Sequence, residues 1–266
     1  MKHIVGQLAL SLKPKSRNPL NISQHHLSFF NTLLTSHSIN TTTATMAPIG
    51  KIYSYPNNYR VQIAQVAADL NNLTLEFPDF QMGVTNKTPS FLSHFPLGKV
   101  PAFSSADETF HLTEGLAIAR YIASSGPASA QLLGSDPKTS ALIEQWALFG
   151  ESELANATIP PLLMVLAKMI PYDEARYNQC AGNLERAVKR LEEAVNDGRK
   201  FLVGDSLTLA DLAVLGAMAL AGKFLFDGEM RKQAPSVEGY LKGLLEVPEV
   251  KKHFGELTFC ETRVQG

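Results

Sequence analysis

Residues able to do chemistry gather between positions 53 and 115 of the chain. Glu114 follows a short β-type run and opens an apolar, periodic stretch, so its carboxylate stands at a helix start, where the helix dipole favours it. Lys99-Val100-Pro101 places a cation beside an X-Pro step. Tyr53, Ser54, Tyr55, Asn57 and Arg60 crowd the end of an earlier β-type run, where Pro56-Asn57-Asn58 also reads simply as a turn. Cys180 and Cys260 are far apart, form no C-x-x-C and have no charged partner in sequence. They read as inert packing residues and exclude a disulfide scaffold, a zinc ribbon and a dithiol site. His25-His26 is a pair of metal-ligand type, but nothing near it has ligand spacing, so no metal is expected.

Composition narrows the classes further. In 266 residues, 24 Lys and Arg face 25 Asp and Glu, leaving a net charge of −1. Such a balance gives no field to hold a polyanion, so nucleic-acid binding is not expected. The longest apolar run, residues 212–222, is too short to span a bilayer, and no membrane partner is expected. The chain reads as soluble and cytoplasmic. Residues 1–45 hold Lys2, Lys13, Lys15 and Arg17 and no acid. Three readings suit this stretch: a non-native upstream extension, a disordered tail, or a mitochondrial leader. In each, it lies outside the fold.

The remaining pattern must position the chemistry. Residues 51–55 form a strand and 61–71 an apolar helical face. A second strand covers 73–77, and loop plus short helix covers 85–95. Residues 100–103 and 110–112 flank a polar turn as a hairpin, and 114–123 is helical. The crossover helix makes the first two strands parallel, and the hairpin adds antiparallel strands. Beyond Pro127 only helices are predicted, at 138–155, 162–169, 178–196, 208–220 and 237–246. The segment 208–220 is apolar all round and therefore central. Thr208 and Asp211 have capping-box spacing, and Leu207 can staple onto Leu212.

This β-α-β-α-β-β-α order resembles the thioredoxin-like domain of the glutathione transferase family. So do Gly98-Lys99-Val100-Pro101-Ala102-Phe103 and Leu112-Thr113-Glu114-Gly115-Leu116-Ala117-Ile118. Phe201-Leu202-Val203-Gly204-Asp205 and Thr208-Leu209-Ala210-Asp211 resemble the capping motif of the family's second domain. Gln145-Trp146, residues 230–235 and residues 254–261 are similar to the transferase-like half of the elongation factor 1 gamma subunit and to stand-alone fungal glutathione transferases. The resemblance implies an α/β thioredoxin-like N-terminal domain at 48–126 plus an all-α C-terminal domain at 137–262.

It also implies a site. Glutathione, as co-substrate, would pair through its cysteinyl backbone with Val100 in a cis Val100-Pro101 turn. Glu114 would hold the γ-glutamyl ammonium, the Gly115 N–H the γ-glutamyl carboxylate, and Lys99 the glycyl carboxylate. Gly115 departs from the family, which places Ser there. The thiol activator would be Asn57 or, as a hydroxyl alternative, Tyr55 or Tyr53, with Arg60 adding positive charge. Trp146, Phe149 and Met164, with Leu163 and Met169, would line the site of a small hydrophobic electrophile. The implied protein is a homodimeric transferase, used in detoxification or fungal polyketide metabolism. The alternative is a non-catalytic scaffold, similar to the elongation-factor subunit, that binds a protein partner.

Overall fold

A computed structural model describes residues 47–266; the expectations for residues 1–45 lie outside the described residues. The chain opens with β1 (Gly50–Tyr53), α1 (Tyr59–Leu70), β2 (Leu75–Glu76), a 3₁₀ turn (Thr85–Lys87) and α2 (Pro89–His94). It continues with β3 (Ala102–Ser105), β4 (His111–Leu112) and α3 (Gly115–Ser124). The sheet order is β2-β1-β3-β4, with β1 parallel to β2 and the other pairs antiparallel, as the hairpin and crossover pattern predicts.

Strand alternation splits this sheet between two helix layers. Ile52 lies opposite Phe103, and both are buried in the main core with α1 and α3. Tyr53 lies opposite Ala102 on the other face, against Phe91 of α2 and Phe95 just after it. Gly50 permits the close approach of β3, since a Cβ there would sit 2.3 Å from the Ser104 carbonyl oxygen. Asn58 caps α1 by accepting the Arg60 N–H at 3.1 Å.

The helical half follows with α4 (Ser129–Leu133) and α5 (Pro137–Phe149). A π-helical turn (Gly150–Ala155) leads from α5 into α6 (Asn156–Val165). Then come α7 (Glu174–Val195), α8 (Leu209–Phe224), α9 (Gly228–Gln233), α10 (Pro235–Leu244) and α11 (Pro248–Phe254). Helix α8 is buried along most of its length, as its unbroken apolar pattern predicts, and the expected capping box forms at its start. Its small residues let both halves approach it. Gly216 faces Tyr59 of α1, and Gly150 faces the Ala213 backbone.

The helix expected at 162–169 instead starts at Asn156, carries Pro160 and Pro161 inside it, and ends at Val165. Helices α4, α9 and α11 were not anticipated. Each has five to seven residues, too few for an apolar period to repeat. The C-terminal segment is stitched onto the helices: the Cys260 and Val264 N–H groups donate to Gly222 and Phe224, both at 2.8 Å. Arg263 reaches Asp227 and Glu185. Both cysteines are free, and burial pushes each thiol up, which fits a packing role. Among the described residues, no helix is long and apolar enough to cross a membrane.

Candidate functional site

A cleft of about 610 Å³ opens where the β3 entrance and the start of α3 face α5 and the π-helical turn. It is lined by Lys99, Val100, Pro101, Glu114 and Gly115, so the five residues expected to bind glutathione converge there. The Val100–Pro101 peptide is cis. Neither the N–H nor the C=O of Val100 has a hydrogen-bond partner among the described residues, which leaves one unpaired backbone edge facing the cleft. Glu114 is exposed and has φ +63° just before the first turn of α3, a conformation costly for a side chain with a Cβ and typical of functional sites. No hydrogen bond or ion pair holds its carboxylate among the described residues.

Gly115 is explained by packing. A Cβ there would lie 2.7 Å from Cβ and Cδ of Arg60 and 3.0 Å from its Cγ. The arginine stem fills the space a serine side chain would need. Gly115→Ser is therefore expected to lower the unfolding free energy by about 1–3 kcal/mol, the usual cost of overpacking. It should bring no gain in affinity for glutathione. A thermal melt and a glutathione titration check this, and a variant that is both as stable and tighter-binding would contradict it.

Arg60 crosses from α1 to the helical half. Its Nε lies 3.1 and 3.2 Å from the two Glu151 carboxylate oxygens, and its Nη2 lies 2.7 Å from Oε2. Nη1 has no hydrogen-bond partner among the described residues, and the guanidinium carbon lies 4.7 Å from the Tyr59 ring centroid. Beside it, the Tyr59 hydroxyl is buried without a hydrogen-bond partner. Burial pushes that phenol far up, so it stays protonated at neutral pH. Glu151 was not foreseen, because its role depends on a π-helical turn that periodicity does not reveal.

The family model for the glutathione S-transferase N-terminal domain matches residues 48–124, and that for the C-terminal domain matches residues 154–248. The chain belongs to the glutathione S-transferase family. It is 43% identical over 210 residues to the glutathione S-transferase-like protein LUC7 of a Fusarium species, covering 79% of this chain and 94% of that one. It is 33% identical over 223 residues to elongation factor 1-gamma of Danio rerio, covering 81% of this chain and 48% of that one. It thus spans about half the elongation factor's length. The GST-like domain of elongation factor 1-gamma from Saccharomyces cerevisiae shares the fold, with a TM-score of 0.68 at 22% identity over 82% of this chain and 100% of that one. The glutathione transferase URE2P6 of Phanerochaete chrysosporium, solved with oxidized glutathione, has a TM-score of 0.69 at 19% identity, covering 78% of this chain and 96% of that one.

Against this transferase fold, the other expected site residues lie elsewhere. Tyr55 and Asn57 line a neighbouring polar groove of about 470 Å³ with Gln62, Phe77 and His253. They are not among the residues lining the cleft, and Asn57 has φ +60° in an exposed turn. Trp146, Phe149 and Met164 do not line the cleft either. Trp146 and Met164 are buried, and Phe149 packs partly buried against the core and edge-on to Trp146. The helical wall of the cleft is made by other positions of the same helix and of the turn after it, Glu144, Leu148 and Glu151. The apolar spacing on α5 marks its core face, and the cleft takes the opposite, mixed face.

Proposed function

We propose that the chain is a glutathione transferase that joins glutathione to a small hydrophobic electrophile. The observation that carries this reading is the convergence of Lys99, the unpaired backbone edge of Val100 and the unpartnered Glu114 carboxylate on one cleft. Glutathione is an extended tripeptide with an ammonium at one end and a glycyl carboxylate at the other. Val100 pairs with the cysteinyl backbone as an added strand. Glu114 takes the γ-glutamyl ammonium, the Gly115 N–H its carboxylate, and Lys99 the glycyl carboxylate. The sulfur, as thiolate, attacks the electrophile, a carbon–sulfur bond forms, and the leaving group departs with its electron pair. The working form is a homodimer, as the family resemblance implies, and no metal enters the reaction. The reading that the enzyme serves fungal secondary metabolism or detoxification rests on the fungal transferase-like relatives.

A second reading is favoured by the 33% identity to elongation factor 1-gamma. In it the same fold is a non-catalytic module that binds a protein. One experiment separates the two: retention on immobilised glutathione, elution by free glutathione, and turnover of a generic aryl halide. The transferase reading expects all three. A folded protein that is neither retained nor active makes the scaffold the better account.

A further inference from the structure

We propose that the guanidinium of Arg60 is the group that holds the glutathione sulfur as its thiolate. This rests on the reading of the cleft as a glutathione site and supplies the activating group which that reading lacks. Among the described residues lining the cleft there is no tyrosine, serine or cysteine, and Thr113 is the only hydroxyl. The cations there are Lys99, Arg120 and Arg60. Lys99 precedes Val100, at the glycyl end of a strand-like tripeptide. Arg120 is tied to Glu144 in an exposed pair at 2.6 Å. Arg60 differs from both in place and in restraint.

Its stem lies against Gly115, at the γ-glutamyl end, and its head is fixed on Glu151 in the helical wall. The guanidinium therefore bridges the start of α3 and the helical wall of the cleft, and in the proposed complex it would lie between the tripeptide and a second substrate on that wall. A cysteinyl side chain leaving the Val100 edge toward that wall meets this cation. The Glu151 contacts use Nε and Nη2 and leave Nη1 open. The charged and titratable groups around Arg60 are Glu151, Tyr59 and Tyr55. Glu114, Lys99 and the Arg120–Glu144 pair complete the cleft. Burial disfavours the Arg60 charge, but Glu151 together with Tyr59 and Tyr55 outweighs it and the guanidinium stays ionised. A fixed cation beside a thiol favours the thiolate. Arg60 does not take the proton, which passes to bulk water. The thiolate then supplies the electron pair of the new carbon–sulfur bond.

Arg60 could act only as a strut between the two halves, and the test is built to separate these roles. The bound thiol is titrated by its ultraviolet thiolate absorbance in wild type, Arg60→Gln, Arg60→Lys and Glu151→Gln. Affinity for S-methylglutathione, which has no ionisable sulfur, is measured alongside. In wild type the bound thiol titrates below the free value of about 8.5. Arg60→Gln is expected to raise it by about one pH unit or more, a tenfold loss of thiolate, with S-methylglutathione affinity within about twofold. Arg60→Lys keeps part of the effect. Glu151→Gln removes the counter-charge and leaves the thiol at or below its wild-type value, whereas a strut would make both variants fail alike. An unchanged thiol in Arg60→Gln, or a rise produced by Asn57→Ala instead, overturns the assignment. Absence of any glutathione binding by the folded wild type overturns the underlying reading as well, so the two failures are distinct.

Discussion

Asp211→Ala is expected to lower the unfolding free energy by about 3–5 kcal/mol, at the upper end for one substitution. Half a capping box accounts for only ~1–2 kcal/mol of this. The fully buried carboxylate also gathers distant donors. It accepts the Thr208 N–H at 2.8 Å, the Thr208 hydroxyl at 2.9 Å, the Leu202 N–H at 2.7 Å and the Tyr240 hydroxyl at 2.8 Å. Alanine would leave these donors in a site closed to water. Burial raises the Asp211 carboxyl above its ordinary 3.8 and outweighs the donors that act the other way. An acid raised on folding binds its proton more tightly in the native state. Its contribution therefore declines as pH climbs from the unfolded value through the folded one. The gap between wild type and Asp211→Ala should be wider in mild acid than at neutral pH. Urea titrations at the two pH values check both statements. A loss below about 1 kcal/mol would mean that the network does not hold the α8 start.

Glu114→Gln is expected to raise the KM for glutathione about tenfold while kcat changes less than about threefold. In the proposed complex its carboxylate meets the γ-glutamyl ammonium, which takes no part in bond formation and is separated from the central cysteinyl sulfur by the γ-glutamyl arm. The interaction is the same before and during bond formation, so its loss weakens binding without altering the chemical step. The Glu114 carboxylate makes no hydrogen bond or ion pair among the described residues, and its backbone bond to the Ile118 N–H survives the substitution, so stability should be nearly unchanged. Steady-state kinetics with an aryl halide, paired with a thermal melt, decide it. A fall in kcat at constant KM would place Glu114 beside the reacting atoms and reverse the direction in which the tripeptide lies.

How much of this was legible in the chain differs by element. The β-type runs at 51–55, 73–77, 100–103 and 110–112 with the turn signals between them, and the all-apolar 208–220 segment, were enough for the sheet and the central helix. Those patterns state which face is buried, and burial is the main driving force. The five residues to which the resemblance assigns glutathione contacts fall together for a related reason. Lys99, Val100 and Pro101 are consecutive, Glu114 and Gly115 are consecutive, and a hairpin between them brings both groups to one end of the sheet. Local sequence therefore determined that these five positions share one side of the cleft.

The opposite wall was decided only by tertiary structure. Trp146, Phe149 and Met164 look like a substrate surface in sequence, because apolar spacing is the same whether a face meets core or ligand. The fold buries Trp146 of α5 and Met164 of α6, packs Phe149 against the core, and presents Glu144 and Leu148 of α5 and Glu151 of the π-helical turn. The absence of a Cβ at position 115 reads as a lost hydroxyl until Arg60, 55 positions earlier, is seen to occupy the space. Arg60 and Glu151 stand 91 residues apart and meet through a π-helical turn that no local period announces. Sequence determines which faces are buried; the packing of α1 and α3 against the helical half determines which charges face the cleft.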